Sequence, residues 1–153
     1  MYRQNFLCFY LVYQSLFVPL QQLKQNTELI TKILTIMNKK ETSVLIALAT
    51  IAMNNKEGFT VSAANLQPVK KGYAVAVADT QNSFGLRGLA NVVKYVAEHP
   101  EINAFGGWYN SKNKKYYFDA TVIVEDLAAA LELGRINKQI AIFDLTNGLP
   151  IDL

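Results

Sequence analysis

The feature that most constrains the fold is a run of alternating side chains, KYYFDATVIV, at residues 115–124. The run is rich in β-branched and aromatic residues, which favour strands. Successive side chains of a strand point to opposite faces, so one face is apolar and the other is mixed. The first face carries Tyr116, Phe118, Ala120 and Val122, and the second carries Tyr117, Asp119, Thr121 and Ile123. We expect helices over the first face and an open surface on the second.

Other patterns from residue 73 onward extend this strand into a β-α-β-β-α-β order. The predicted strands cover residues 73–79, 102–109, 115–124 and 139–145, and the predicted helices cover 84–98 and a segment from Glu125 to Asn137. This order predicts an α+β fold of the ferredoxin-like type, with a four-stranded antiparallel sheet and both helices on one face. A helix over 42–53 and a β-rich piece at 58–61 would be an N-terminal addition, and residues 146–148 would turn the chain out of the sheet.

The first 36 residues differ in composition from the rest. Residues 6–18 are apolar but interrupted, and Pro19 follows them, so they are short for a spanning helix of about 20 residues. Met37 is a credible protein start. We therefore interpret residues 1–36 as an extension outside the domain, either a misassigned start or a leader, and residues 37–153 as one α+β domain. A membrane-surface anchor at the N-terminus is the alternative, and no membrane contact is expected of residues 37–153.

Residues 37–53 also imitate a secretory signal, because MNKK precedes an apolar run. Glu41 within the basic region and the lack of a small-residue cleavage site favour an ordinary buried helix, with Thr42 or Ser43 as its cap. We therefore expect a cytoplasmic protein.

Charge and cysteine content exclude several function classes. The net charge is +3, and residues 37–153 are close to neutral, without a dense lysine or arginine block, which is weak support for a duplex DNA partner. Cys8 and His99 are the only cysteine and histidine of the chain. They cannot form a disulfide or a structural zinc site, and we expect no metal and no cofactor. His99 precedes Pro100 and is interpreted as the end of a helix.

Three segments carry a resemblance: GYAVAVADTQNSFG, GGWYNSKNKKYYFDATVIVEDLAAALELG and NKQIAIFDL. They resemble segments of a group of small proteins from bacteria, phages and other mobile elements. The resemblance covers roughly residues 37–148 and has no counterpart for residues 1–36. It implies a compact domain that begins near Met37, and it implies no activity.

The stretch DTQNSFG, after the first predicted strand, is the first candidate site. Thr80, Asn82 and Ser83 are residue types whose side-chain oxygens cap helices, which explains their polarity without a ligand. The alternative is that Gln81, Asn82 and Gly85 hold an anion or a nucleotide phosphate at the helix N-terminus. The stretch lacks the patterns of specific phosphate loops.

The sheet face of Tyr117 and Asp119 is the second candidate site. Trp108 or Tyr109 can join it from the neighbouring strand, and the two glycines before Trp108 predict a bulge or a close backbone approach. An aromatic open face can stack nucleic-acid bases, as in the four-stranded RNA-recognition fold, although Asp119 would repel phosphate. The alternative is that the N-terminal helix or a second subunit covers this face, which favours a homo-oligomer.

Three carboxylates in or at the ends of strands, Asp79, Asp119 and Asp144, suit acid–base or divalent-cation chemistry. No motif connects them, and strand-end aspartates commonly form turns. We predict a small cytoplasmic, non-enzymatic binding or accessory protein, associated with a phage or mobile element, that contacts itself or another protein. The alternatives are a small-molecule or nucleotide-binding enzyme that uses the 79–85 turn, and a single-stranded nucleic-acid-binding protein that uses the open sheet face.

Overall fold

The computed structural model describes residues 23–153, which form four α-helices and one six-stranded antiparallel sheet. The helices are α1 (Leu23–Ile36), α2 (Lys39–Asn54), α3 (Gly85–Glu98) and α4 (Leu127–Ile136). The strands are β1 (Phe59–Ser62), β2 (Tyr73–Ala76), β3 (Ala104–Asn110), β4 (Lys115–Val124), β5 (Ala141–Asp144) and β6 (Leu149–Asp152). A short 3₁₀ helix, Ala78–Thr80, follows β2.

The strands lie in the order β1-β3-β4-β2-β5-β6, and every neighbouring pair is antiparallel. The α+β class is therefore confirmed, but the prediction of a four-stranded ferredoxin-like sheet with two helices and one added N-terminal helix is wrong. The sheet has six strands because β1 and β6 add to its two edges, and the described residues form four helices.

Strand β1 joins the sheet because its pairing buries an apolar side chain. Val61 is 2% exposed and lies opposite Phe105 of β3. The outer edge of β1 is itself covered, since the Val69 N–H donates to the Thr60 carbonyl at 3.0 Å. A segment this short gains its stability from cross-strand contacts, which local sequence does not show.

Strand β6 forms because the chain folds back after β5 and does not leave the sheet as predicted. The Asp144 carboxylate accepts hydrogen bonds from the backbone N–H groups of Thr146 at 2.9 Å and Asn147 at 3.0 Å. Gly148 has φ +70°, a left-handed conformation that suits glycine. This turn pairs β6 with β5 as a hairpin.

The packed core lies on the sheet face that the alternation of β4 predicts to be covered. Phe105 and Phe118 of the sheet pack in one cluster with Leu48 of α2 and Leu89 of α3. A smaller cluster joins α4 to the sheet through Ala130, Val75 and Ile142. The register places these side chains on one face, which we name the first face. The second face carries Trp108, Tyr117, Asp119, Ala74 and Phe143.

Helices α1 and α2 precede the sheet and contribute to the same core. Asn38 caps α2 in place of the predicted Thr42 or Ser43, and it forms a capping box with Glu41. In α1, Ile30 is 1% exposed and belongs to the main cluster. The predicted boundary at Met37 is therefore not an edge of the packed core. Residues 1–22, including the predicted anchor segment 6–18, lie outside the described residues.

None of the helices found within residues 23–153 is long and apolar enough to cross a membrane.

Candidate functional site

The two predicted surfaces lie next to each other along β4. Where β2 ends, residues 77–84 continue beside β4 in its place. The Phe118 N–H donates to the Ser83 carbonyl at 2.8 Å, and Phe84 forms an isolated antiparallel bridge with Tyr117. The turn and the second face of the sheet are therefore parts of one surface.

Thr80 holds the turn against the sheet. Its side chain is 3% exposed. Its hydroxyl accepts a hydrogen bond from the Ala120 N–H at 3.0 Å and donates one to the Val77 carbonyl at 3.3 Å. The hydroxyl thereby supplies β4 with an acceptor that β2 no longer provides, and it satisfies a buried backbone donor. A buried and fully engaged hydroxyl offers no surface to a ligand.

The other predicted residues of the turn lie nearer the surface. Gln81 is exposed, but its side-chain amide donates to the Asn137 carbonyl at 3.0 Å. Asn82 is exposed and has φ +62°, in the left-handed region. Gly85 also has a positive φ, +63°, and a Cβ there would meet nothing within 4 Å. The exposed part of the turn is thus shaped by its backbone conformation and by the contact of Gln81 with the end of α4, in addition to the bonds that Thr80 and Ser83 make to β4.

The prediction that Thr80, Asn82 or Ser83 caps the helix is wrong. The N-cap of α3 is Phe84, and no side chain accepts a hydrogen bond from the first turn there. The physical reason is that residues 80–83 are bonded along β4, through the Thr80 hydroxyl and the Ser83 carbonyl. The helix can therefore begin only after Ser83, and Phe84 occupies the N-cap position.

Three aromatic rings form a continuous row on the second face: Phe84, Tyr117 and Trp108. The rings of Trp108 and Tyr117 are stacked, with centroids 5.1 Å apart and an interplanar angle of 17°. Phe84 meets Tyr117 edge to face at 5.7 Å. Both ends of the row are open to solvent, since Trp108 is 45% exposed and Phe84 is 42% exposed. We call these three residues the aromatic row.

Polar neighbours hold the aromatic row in place. The Lys115 ammonium lies 3.8 Å from the centroid of the Phe84 ring, a cation–π contact. The Asn113 side-chain amide donates to the Tyr117 hydroxyl at 2.8 Å. Both residues come from the hairpin between β3 and β4, so this hairpin fixes the orientation of the row.

Tyr109 does not belong to the aromatic row. Strand alternation puts it on the first face, opposite Tyr116, with ring centroids 6.5 Å apart. Of the four residues predicted at the sheet face, the structure brings together Trp108, Tyr117 and Asp119.

The two glycines before Trp108 make no bulge, because the β3–β4 register is continuous through them. The close approaches are made by side chains and not by another backbone. A Cβ on Gly106 would lie 2.9 Å from the Thr121 hydroxyl, and one on Gly107 would lie 2.6 Å from the Phe59 ring. On each face of β3, a neighbouring side chain therefore occupies the space that a Cβ on the glycine would need.

Asp119 lies on the second face, two residues along β4 from Tyr117. Its side chain is half-buried, and no carboxylate hydrogen bond or ion pair is found for it among the described residues. Burial raises the pKa of Asp119 from 3.8 to about 6. The desolvated carboxyl therefore holds its proton closer to neutral pH than a surface aspartate does.

The three predicted carboxylates do not converge. Asp144 forms the turn before β6 and lies on the first face, where the Asn147 side chain and backbone hydrogen bonds lower its pKa. Asp79 accepts a hydrogen bond from the Tyr95 hydroxyl at 3.0 Å, and the Tyr95 ring stacks on His99 at 3.9 Å. Within the part of the chain that the structure describes, no group of three or more histidine, cysteine or acidic residues could hold a metal ion.

Three residues of the site were missed by the sequence analysis, and Asn113, in the polar turn, is one of them. Lys115 shares the strand alternation of Tyr117, so the period of two could have placed it on the second face. Phe84 has no such signal. Its position depends on hydrogen bonds that hold residues 77–84 beside β4, and these bonds are seen only in the folded structure.

Comparisons with known proteins found no match: the chain matches no protein-family model, and no curated protein or solved structure is significantly similar to it.

Proposed function

We propose that this protein is a small, non-enzymatic binding protein whose contact surface is the aromatic row. The observation that carries the proposal is the exposure of Trp108 and Phe84, 45% and 42%, at the two ends of a stacked row. Large aromatic rings contribute much of the binding energy where proteins meet their partners. A row of them on a surface is typical of a contact site.

The rigidity of the row supports the same proposal. Tyr117 and Trp108 stand on two paired strands, and Asn113 and Lys115 hold Tyr117 and Phe84. A contact surface that is ordered before its partner arrives loses less conformational entropy on binding.

The enzyme alternative has less support. The side-chain amide of Gln81 is bonded to the end of α4, and the hydroxyl of Thr80 is bonded to β4. The Asp119 carboxylate has no hydrogen-bond or ion-pair partner among the described side chains to orient it for acid–base work, since burial is the one cause that shifts its pKa.

The cytoplasmic location and the accessory role are part of this proposal. A single cysteine in the whole chain leaves no intramolecular disulfide, as is common for cytoplasmic proteins. The association with a phage or another mobile element is supported by the segment resemblance.

The test uses Trp108 as a built-in probe, since it is the only tryptophan of the chain. Its emission is followed during titration with nucleotides, oligonucleotides and peptides, and on raising the protein concentration. We expect one class of partner to shift or quench the emission. Tyr117→Ala and Phe84→Ala should weaken that response. Tyr109→Ala is the matched control, because Tyr109 is adjacent to Trp108 and 40% exposed but lies on the first face.

An emission that no class of partner and no increase in protein concentration alters would contradict the proposal. A response weakened equally by Tyr109→Ala would place the contact surface elsewhere.

A further inference from the structure

We propose that the aromatic row binds single-stranded nucleic acid, with bases stacked on its rings and phosphates held by the lysines of the β3–β4 hairpin. This inference rests on the proposed function and adds the chemical class of the ligand. It is carried by two independent observations, the geometry of the rings and the distribution of charge around them.

The geometry leaves part of the stacked Trp108 indole exposed. One face of the indole is against Tyr117, at an interplanar angle of 17°, and Trp108 is 45% exposed, so a planar base can reach the end of the stack. Stacking of bases on aromatic side chains tolerates any sequence, since every base has a flat π-face.

The charge beside the rings has the sign that phosphates require. The hairpin carries Lys112, Lys114 and Lys115, and no acidic residue occurs from Ile102 to Phe118. Lys112 and Lys114 are exposed, whereas Lys115 lies on the Phe84 ring. One cation, Lys115, is therefore placed at the row itself, and two more lie in the adjoining turn, although the whole chain carries a net charge of only +3.

Asp119 is the one carboxylate on β4, and with a pKa of about 6 it is mostly ionised at pH 7, so its charge opposes phosphate. That charge is separated from the lysines of the hairpin, since Lys112 and Lys114 are exposed in the turn and Asp119 lies four residues further along the strand than Lys115.

Duplex DNA does not fit this surface. Its bases are hidden in the helical stack, and its affinity comes from a broad basic face. The described surface offers a local cluster of cations next to exposed rings, which is the combination that proteins use for single strands.

The test measures fluorescence anisotropy of short fluorescein-labelled oligothymidylate and oligouridylate with the full chain, at salt from about 50 to 200 mM. We expect binding whose logarithm falls with the logarithm of salt at a slope of about −2, since each neutralised phosphate of a single strand contributes about −0.7. A duplex of the same length is the competitor and should displace the single strand poorly.

Two variants separate stacking from charge. Trp108→Ala should weaken binding about tenfold or more, and Trp108→Phe should retain most of it. Replacement of Lys112, Lys114 and Lys115 by glutamine should bring the salt slope close to zero. The matched control replaces Lys32, Lys39 and Lys40 by glutamine, because these exposed lysines lie in α1 and at the start of α2. Circular dichroism checks that each variant is folded.

Several results would overturn the inference: no binding of either single strand, preference for the duplex, or equal losses in the hairpin and control lysine variants. If single strands fail but Trp108 emission responds to a peptide or to a second copy of the chain, the ligand class is wrong and the binding function stands. If Trp108 responds to nothing, both proposals are wrong.

Discussion

At the scale of single residues, polar side chains on this fold complete gaps in the backbone hydrogen bonding. Thr80 looks like a surface residue in the sequence, yet its buried hydroxyl accepts the Ala120 N–H. Asp144 likewise forms the turn into β6. Asp119 is the exception, because no bond is found for its carboxylate in the described structure and its burial is uncompensated.

This difference predicts how stability depends on pH. Burial raises the pKa of Asp119 to about 6 from 3.8, so the folded state binds a proton more tightly than the unfolded state does. The contribution of Asp119 to the free energy of unfolding therefore decreases as pH rises from about 4 to 6. Above pH 6 this contribution no longer changes with pH. Since a tenfold change in proton affinity is about 1.4 kcal/mol, the loss is at most about 3 kcal/mol.

Asp119→Asn should remove this loss and be more stable than the unsubstituted protein at pH 7 but not at pH 4. Asp119→Glu is the control that keeps a titrating carboxyl. Urea unfolding at a series of pH values measures both. An asparagine variant with the same pH dependence as the unsubstituted protein would show that Asp119 is not the group responsible.

At the scale of elements, the contact between α3 and the 77–84 segment positions the site. Gly88 of α3 lies against Ser83, and a Cβ on Gly88 would be 2.5 Å from the Ser83 carbonyl carbon. Ser83 is in turn bonded to β4. A glycine within a helix is normally unfavourable, so the close contact explains why one stands here.

Gly88→Ala should therefore destabilise the protein by about 1–3 kcal/mol, because backbone atoms cannot move aside as a side-chain end can. The substitution should also change Trp108 emission, since displacement of Ser83 moves Phe84 and the aromatic row. Asn91→Ala, at an exposed position of the same helix, is the matched control and should change stability by less than about 0.5 kcal/mol. A Gly88→Ala variant as stable as this control would show that the segment can shift freely.

At the scale of the whole molecule, α1 is packed as part of the core. Ile30 is 1% exposed within the main cluster, whereas Ile36, at the end of the same helix, is 78% exposed. Ile30→Ala should lower the free energy of unfolding by about 2–5 kcal/mol. Ile36→Ala should change it by less than about 0.5 kcal/mol. Equal and small effects in chemical denaturation would mean that α1 does not contribute to the core.

The sequence by itself determined the elements whose pattern is long enough to be read locally. The alternation at 115–124 predicts β4 with its two faces, and the apolar repeat at 84–98 predicts α3 to within a residue. Both follow from fixed geometric periods of strand and helix. The sequence left open whether Trp108 or Tyr109 stands beside Tyr117, and the β3–β4 register of the structure selects Trp108.

Only the tertiary structure decided the two edge strands, the place of α1 in the core and the complete aromatic row. β1 and β6 have four residues each, and their stability comes from pairing with β3 and β5. Phe84 reaches Tyr117 because Thr80 and Ser83 bond to a strand that follows more than thirty residues later. Contacts between residues so distant in the chain leave no periodic trace in it, because their energy appears only when the sheet has formed.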